Sequence, residues 1–390
     1  MAERANITPK VFRWARETAK LSESDAAAKV SVKENKIKEW ESGASQPTIR
    51  QAKILANAYQ RSFAILFLPE IPNDFQPLQD FRKKGSDELS TSTLFIIREI
   101  QQKQSWISEE LKDSEVQKLS FVGKYTTSEK PETIAKDIIE TLEIDPLNYE
   151  NQDPINLWIE KSEQKGIFVS RTSFIHSHLK IDKDELQGFA IADSYAPFIF
   201  INSADWKAPQ LFTFVHELAH IWTATTGISN NITPNILERD KYHPVELYCN
   251  EIAANVLMPK SLIEKFAAKD FENEKLIFLT ARNLGVSTIA LLTRARNLNI
   301  ISNNQYKKLK LKADQVFLDF LKKEELKKLR QKKQDGGPSF YTLRLYRNGR
   351  LFTQSVLDAY NSGRIEPSVA SLLLKVKSNQ FPKLEQKMYQ

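Results

Sequence analysis

The sequence predicts a multidomain protein in which a small all-α unit precedes an α+β middle and a small C-terminal unit. Three observations carry this expectation. At 390 residues the chain exceeds what a single hydrophobic core usually serves. Up to about Tyr59 the apolar residues recur at helical spacing, whereas runs of strand character first arise at residues 166–170, 186–192 and 198–202. Two stretches unsuited to regular structure separate the parts: residues 68–85, with Pro69, Pro72 and Pro77, and the triplet Gly336, Gly337, Pro338. The expected division is 1–68, a connecting stretch 69–130, a middle domain 131–332 with its motif core at 206–260, and a tail unit 333–390.

In the first unit, Thr8 caps a helix opened by Pro9, with Phe12, Trp14, Ala15 and Ala19 as its buried positions. Ser24 is the expected cap of a second helix through residues 26–28, and a turn follows at 30–32. A third helix covers 33–41 and closes at Gly43; a fourth starts near Pro47 and Thr48 and turns Ile54, Leu55 and Ala58 inward. Helical spacing returns at 91–111 and 131–142. After the three strands the chain reads as helical from Trp206 to about Arg330, and the tail unit has a strand-like start at 340–346.

A hydrophobic fraction of 41% against 27% charged residues fits a folded chain and excludes a disordered one. No run approaches the 18 or so apolar residues of a membrane span, and no secretory leader is evident, so a cytoplasmic protein without membrane contact is expected. Cys249 is the single cysteine, which excludes an intrachain disulfide and a zinc cluster of cysteines. The net charge of +7 permits nucleic-acid contact, but much of it lies in the lysine-rich stretch 307–333, which reads as a solvated helix face.

The chemistry concentrates in the string FVHELAHIW. His-Glu-x-x-His on a helix sets two imidazoles, His216 and His220, one turn apart on one face, where they can chelate a single cation. Neutral imidazole suits zinc, and Glu217 beside the same face can take a proton from an attacking water and pass it to a leaving amine. The flanking residues from Leu211 to Trp222 are apolar nearly all round, so the helix is buried and its charged residues have no evident structural purpose. A third ligand is needed, and Glu246 is the choice, on a helix where Glu246, Asn250 and Ala253 share a face. His243, before Pro244, is its rival; His243 or Tyr242 is otherwise placed to steady an oxyanion or lies in a solvated loop. Cys249 reads as packing, Glu251 as a surface residue or a partner to a ligating ring, and His176 with His178 as an exposed loop pair.

HELAH followed by the second motif around Glu246 and a terminal LMP resembles the ImmA/IrrE family of metallopeptidases over roughly residues 165–296. The resemblance implies a zincin-like domain in which His216, His220 and Glu246 bind metal and Glu217 activates water. Where family members tend to show alanine, this chain has Cys249 before Asn250, a small-for-small change. Zinc is the implied cofactor, with manganese acceptable to the same donors. A repressor-type protein is the implied substrate.

The segment ARETAKLSESDAAAKVSVKENKIKEWESG, with the following QPTIRQAKILA, resembles the Cro/repressor type of helix-turn-helix. Trp40 would pack behind the third helix, which presents Lys33, Asn35, Lys36 and Lys38 as candidates for contact with double-stranded DNA, although Glu34 and Glu39 dilute its charge. A homodimer is compatible with such a unit. Arg344, Arg347, Arg350 and Arg364 with Tyr341, Tyr346 and Phe352 make the tail either a nucleic-acid contact or a docking domain. The leading expectation is a regulatory protease addressed to a promoter and cutting a repressor-type or other partner protein; a toxin-type protein is the other expected partner. The rival readings are a non-cleaving DNA-binding regulator, an antitoxin-like partner of a neighbouring toxin, and a helper chaperone for such a toxin.

Overall fold

The structure is a computed structural model that describes residues 3–72, 78–80, 89–149, 152–176, 179–229, 243–331 and 337–389. The chain forms two compact units, Met1–Pro77 with Glu88–Glu99, and Leu78–Asp87 with Ile100–Gln390.

The first unit holds α1 (Pro9–Thr18), α2 (Glu23–Lys29), α3 (Glu34–Ser42) and α4 (Ile49–Ala58). Pro9 starts α1 as expected, with Thr8 in extended geometry before it. The cap of α2 is Ser22 rather than Ser24: its hydroxyl accepts the Asp25 N–H while the Asp25 carboxylate accepts the Ser22 N–H, a reciprocal pair that Ser24, inside the helix, has no partner to form. Gly43 ends α3 at φ +81°, a conformation that costs an L side chain energy. Thr48 and Gln51 cap α4 by the same reciprocal device. Phe12, Trp40 and Tyr59 fill the core edge to face, with Phe12 centroids 6.4 Å from Trp40 and 5.6 Å from Tyr59. Along α4 the inward residues are Ala52, Leu55 and Ala56; Ile54 is exposed and Ala58 half-buried, one helical step off the expected face. Trp14 is half-buried under the Arg61 guanidinium, 4.2 Å from its ring. Glu41 does more than close α3: buried, it pairs with Arg16 at 2.5 and 3.0 Å.

The second unit begins with β1 (Gln79–Asp80), inside the expected linker, and takes most of α5 (Thr91–Asp113), then α6 (Pro131–Leu142) and α7 (Pro154–Gln164). Next come β2 (Phe168–Thr172), β3 (Phe174–His176), β4 (Leu179–Lys180), β5 (Gly188–Ile191), β6 (Phe198–Asn202) and α8 (Lys207–Trp222). After these lie β7 (Gly227–Ser229), α9 (Pro244–Leu257), α10 (Lys260–Ile263), α11 (Glu274–Asn283), α12 (Thr288–Asn297) and α13 (Asn303–Gln331). A helical C-terminal part closes the chain: α14 (Phe340–Asn348), α15 (Arg350–Asn361), α16 (Pro367–Leu374) and α17 (Phe381–Met388).

The sheet runs β1-β7-β5-β6-β2, antiparallel at its centre and parallel at both ends. The expectation of helix throughout from Trp206 fails at β7, whose three residues carry too little pattern to declare a strand and take extended form by pairing with β5. The FIHSH stretch is not simply a loop, since His176 lies in β3 of a two-stranded hairpin; His178 falls outside the described residues. Among the described residues no single helix is long and apolar enough to cross a membrane.

The strand-like start expected at 340–346 is the helix α14, capped by Ser339. The helix α14 packs on β2 and buries Leu345, Arg347 and Asn348. Most of the tail arginines are engaged within the fold. Arg347 is buried and donates to the Phe174 and Ile175 carbonyls, Arg350 donates to the Met388 carbonyl, and Arg364 pairs with Glu110. Phe352 is buried too, so this ring and Arg347 are withheld from any outside contact, while Arg350, Arg364 and Tyr346 are exposed. On α13 the lysines at 307, 308, 312, 322 and 323 are exposed, as expected of a solvated face.

At the start of α15 the carboxylate of Glu163, from α7, accepts the Leu351 N–H at 3.1 Å. Burial pushes this carboxyl up to about 7 from its usual 4.5, against the opposing pull of the Leu351 and Arg350 N–H groups. The folded chain therefore holds this proton more tightly than the unfolded chain. Stability falls as pH rises from about 4.5 to about 7 and stays lower above. Glu163→Gln, which keeps the acceptor without the charge, is expected to raise the unfolding temperature at pH 8 and to leave it unchanged near pH 4.5, read by thermal unfolding at both.

Candidate metal centre

From Gln210 to Trp222 every residue of α8 is buried, because the helix is covered by β5 and β6 and by α6, α7 and α9. This explains its apolar character on all sides. Inside that layer His216 and His220 stand one turn apart, both fully buried, with their Nε2 atoms 3.0 Å from each other. The covering helix α9 starts at Pro244, capped by His243, whose ring accepts the Val245 N–H. Arg294 holds its other end, donating to the Met258 carbonyl at 3.1 Å. Glu246, in the first turn of α9, reaches the His216 Nε2 at 3.2 Å and the His220 Nε2 at 3.1 Å with its two oxygens.

These separations suit a cation. Donors around a tetrahedral centre with bonds near 2.1 Å stand roughly 3.4 Å apart. His216, His220 and Glu246 offer ligand atoms that all lie within 4.8 Å of one another. The outer nitrogens of both rings are held as well: His216 Nδ1 lies 3.0 Å from Asn250 Oδ1, and His220 Nδ1 lies 2.7 Å from Thr225 Oγ1. The Asn250 amide oxygen accepts from the His216 tautomer protonated on Nδ1, the form whose Nε2 can ligate a cation.

The electrostatics pull in two directions. Burial lowers the His220 imidazole, with Glu246 opposing, and so favours the neutral ring. Burial alone would raise Glu246, but the charge and hydrogen bonds of His216 and His220 outweigh it and hold that carboxyl at about 2. The carboxylate gains most from charged rings, while the interior prefers neutral ones. A dication among the three satisfies both, since it needs neutral imidazoles and an ionised carboxylate.

Glu217 is fully buried on the same helix. Cys249 is buried with its sulfur 3.7 Å from His220 Nδ1, and burial, then the Glu246 and Glu217 carboxylates, raise its thiol well above the usual range. It remains a thiol and packs, as expected. Glu251 is exposed, and the partner to a ligating ring is its neighbour Asn250. Asn250 follows Glu246 by one turn, so helical spacing could have found it; Thr225 lies beyond the end of α8 and carries no such signal. His243 serves as a helix cap, and Tyr242 lies outside the described residues. In the first unit Lys33, Asn35, Lys36 and Lys38 are all exposed, with Lys36 paired to Glu39 at 2.5 Å and Lys38 to Glu34 at 2.7 Å.

Residues 163–296, which span α8, β7 and α9, match the family of IrrE N-terminal-like domains. The second unit carries a metallopeptidase-type domain of the IrrE kind. Residues 12–66 match the helix-turn-helix family, in agreement with the four helices of the first unit. No curated protein matches the chain. The IrrE-type domain thus contains all three residues of the candidate metal site, and the ring partners Asn250 and Thr225 lie within the same match.

Replacing Asn250 with alanine is expected to weaken metal affinity about 10- to 100-fold, because a freed imidazole loses its orientation and its proton placement. Competition with a chelating dye measures this directly. An unchanged affinity would show that packing on α8 alone fixes the ring.

Proposed function

We propose that the chain is a regulatory zinc metalloendopeptidase addressed to DNA by its helix-turn-helix unit, cutting a repressor-type or other partner protein. The observation that carries the reading is the convergence of His216, His220 and Glu246 in a buried layer, with both outer ring nitrogens already held. In this reading these three side chains are the metal ligands. The bound cation supplies Lewis acidity that polarises the scissile carbonyl and acidifies the attacking water. Manganese is the other cation the donor set accepts.

Glu217 is the general base and acid of the proposal. Its carboxylate takes a proton from the attacking water and delivers it to the departing amine, so the peptide bond breaks with no net proton change at the residue. The buried surroundings of α8 strengthen these charge interactions by excluding solvent.

The exposed polar face of α3 supports DNA contact through Lys33, Asn35, Lys36 and Lys38. Changing the three lysines together to alanine is expected to lower the slope of log affinity against log salt by about three, measured by titration of labelled duplex at several salt concentrations. The cleavage reading is tested in cells by comparing new protein N-termini in strains expressing the wild type or Glu217→Ala. A partner cut only by the wild type supports it; identical N-termini with regulation retained would leave a non-cleaving DNA-binding regulator.

A further inference from the structure

Gly188 opens β5 in the middle of the sheet, paired with Ile201 of β6 on one side and Ser229 of β7 on the other. Its backbone lies outside the left-handed region, so nothing in its conformation calls for glycine. The space around it does. A Cβ at this position would stand 2.8 Å from the Thr213 methyl, 3.0 Å from the Phe200 carbonyl oxygen and 3.1 Å from Glu217 Oε1. Thr213 and Glu217 are one turn apart on α8, so both face β5 where helix and strand meet.

We infer that Gly188 is a positioning residue that sets where the Glu217 carboxylate rests, by leaving the surface of β5 bare beneath it. The inference rests on the proposed role of Glu217. The ligand atoms need not be affected: His216, His220 and Glu246 close their site between α8 and α9, whereas Gly188 meets α8 from the sheet. A methyl group added at Gly188 therefore presses on Thr213, on the Phe200 carbonyl oxygen and on Glu217. Displacing a reacting group by about 1 Å costs up to roughly a hundredfold in rate.

The test uses the full chain, loaded with zinc, as wild type, Gly188→Ala, Thr213→Ser and the double variant, with Glu217→Ala as reference. Zinc affinity, thermal unfolding, binding of acetohydroxamate, and cleavage of fluorescently labelled casein are read for each. Thr213→Ser removes the closest of the three atoms, so the double variant relieves the tightest contact while those with the Phe200 carbonyl oxygen and Glu217 remain. The expected result is zinc affinity within about threefold of the wild type throughout. Hydroxamate affinity and casein cleavage should fall about tenfold or more in both proteins carrying Gly188→Ala, toward the Glu217→Ala values. Recovery of both in the double variant would assign Gly188 to packing against Thr213 and overturn the inference. So would a loss of zinc affinity parallel to the loss of hydroxamate, which marks a shift of the whole helix. A wild type that takes up no zinc fails at the site itself, a separate result that removes the inference with it.

Discussion

Glu246→Ala is expected to leave the purified protein with less than about a tenth of the zinc held by the wild type, against about one zinc per wild-type chain. Two neutral imidazoles one turn apart make a weak chelate, and the carboxylate supplies both the third donor and the charge that offsets a dication in a buried layer. His220→Ala should lose metal to the same degree. His243→Ala should keep it, because that ring serves as the cap of α9, accepting the Val245 N–H. Elemental analysis of the four proteins purified identically checks the set. Metal retained in Glu246→Ala would remove Glu246 from the ligand set, and metal lost in His243→Ala would revive that histidine. The comparison also separates metal from fold, since circular dichroism should report intact helices in each variant.

Glu217→Ala is expected to do the converse, keeping its zinc while losing cleavage by about 10²- to 10⁴-fold, the usual range for removal of a general base or acid. The proposed metal donors lie on His216, His220 and Glu246, so removing the intervening carboxylate spares them. Glu217→Gln should be nearly as inactive, because it preserves shape and polarity but cannot accept the proton. Hydrolysis of a labelled partner or of labelled casein, normalised to zinc content, provides the measurement. A variant that cuts as well as the wild type would place the proton transfer elsewhere and sink the assignment.

Much of this was open to reading from the chain alone, and particular elements show why. The helices α1, α3 and α6 follow from local rules: apolar residues at helical spacing, with a proline at the first turn of α1 and α6 and a glycine at the end of α3. The pair His216 and His220 is equally local, since four residues in any α-helix bring two rings to one face. Other features were misread for the same reason in reverse. The second cap is Ser22 rather than Ser24 because the reciprocal bond needs an acidic or amide residue three positions on, and Asp25 stands at that spacing from Ser22. The tail was read as strand at 340–346 because its aromatic residues favour strands by propensity, and packing on β2 with a Ser339 cap outweighed that preference.

The sequence by itself determined the two-ring chelate with its carboxylate neighbour, the all-helical first unit and the likeness to both domain families, since each depends on residues within a few turns of one another. Only the tertiary structure decided the rest. It brought Glu246 to the rings across 26 residues of chain, gave Asn250 and Thr225 to the ring nitrogens, and made a strand of 227–229 by offering it β5. It also laid a bare glycine under Glu217. Contacts of this kind arise from how a buried helix is wedged between a sheet and its covering helices, where close packing, acting across long stretches of chain, fixes which atoms meet.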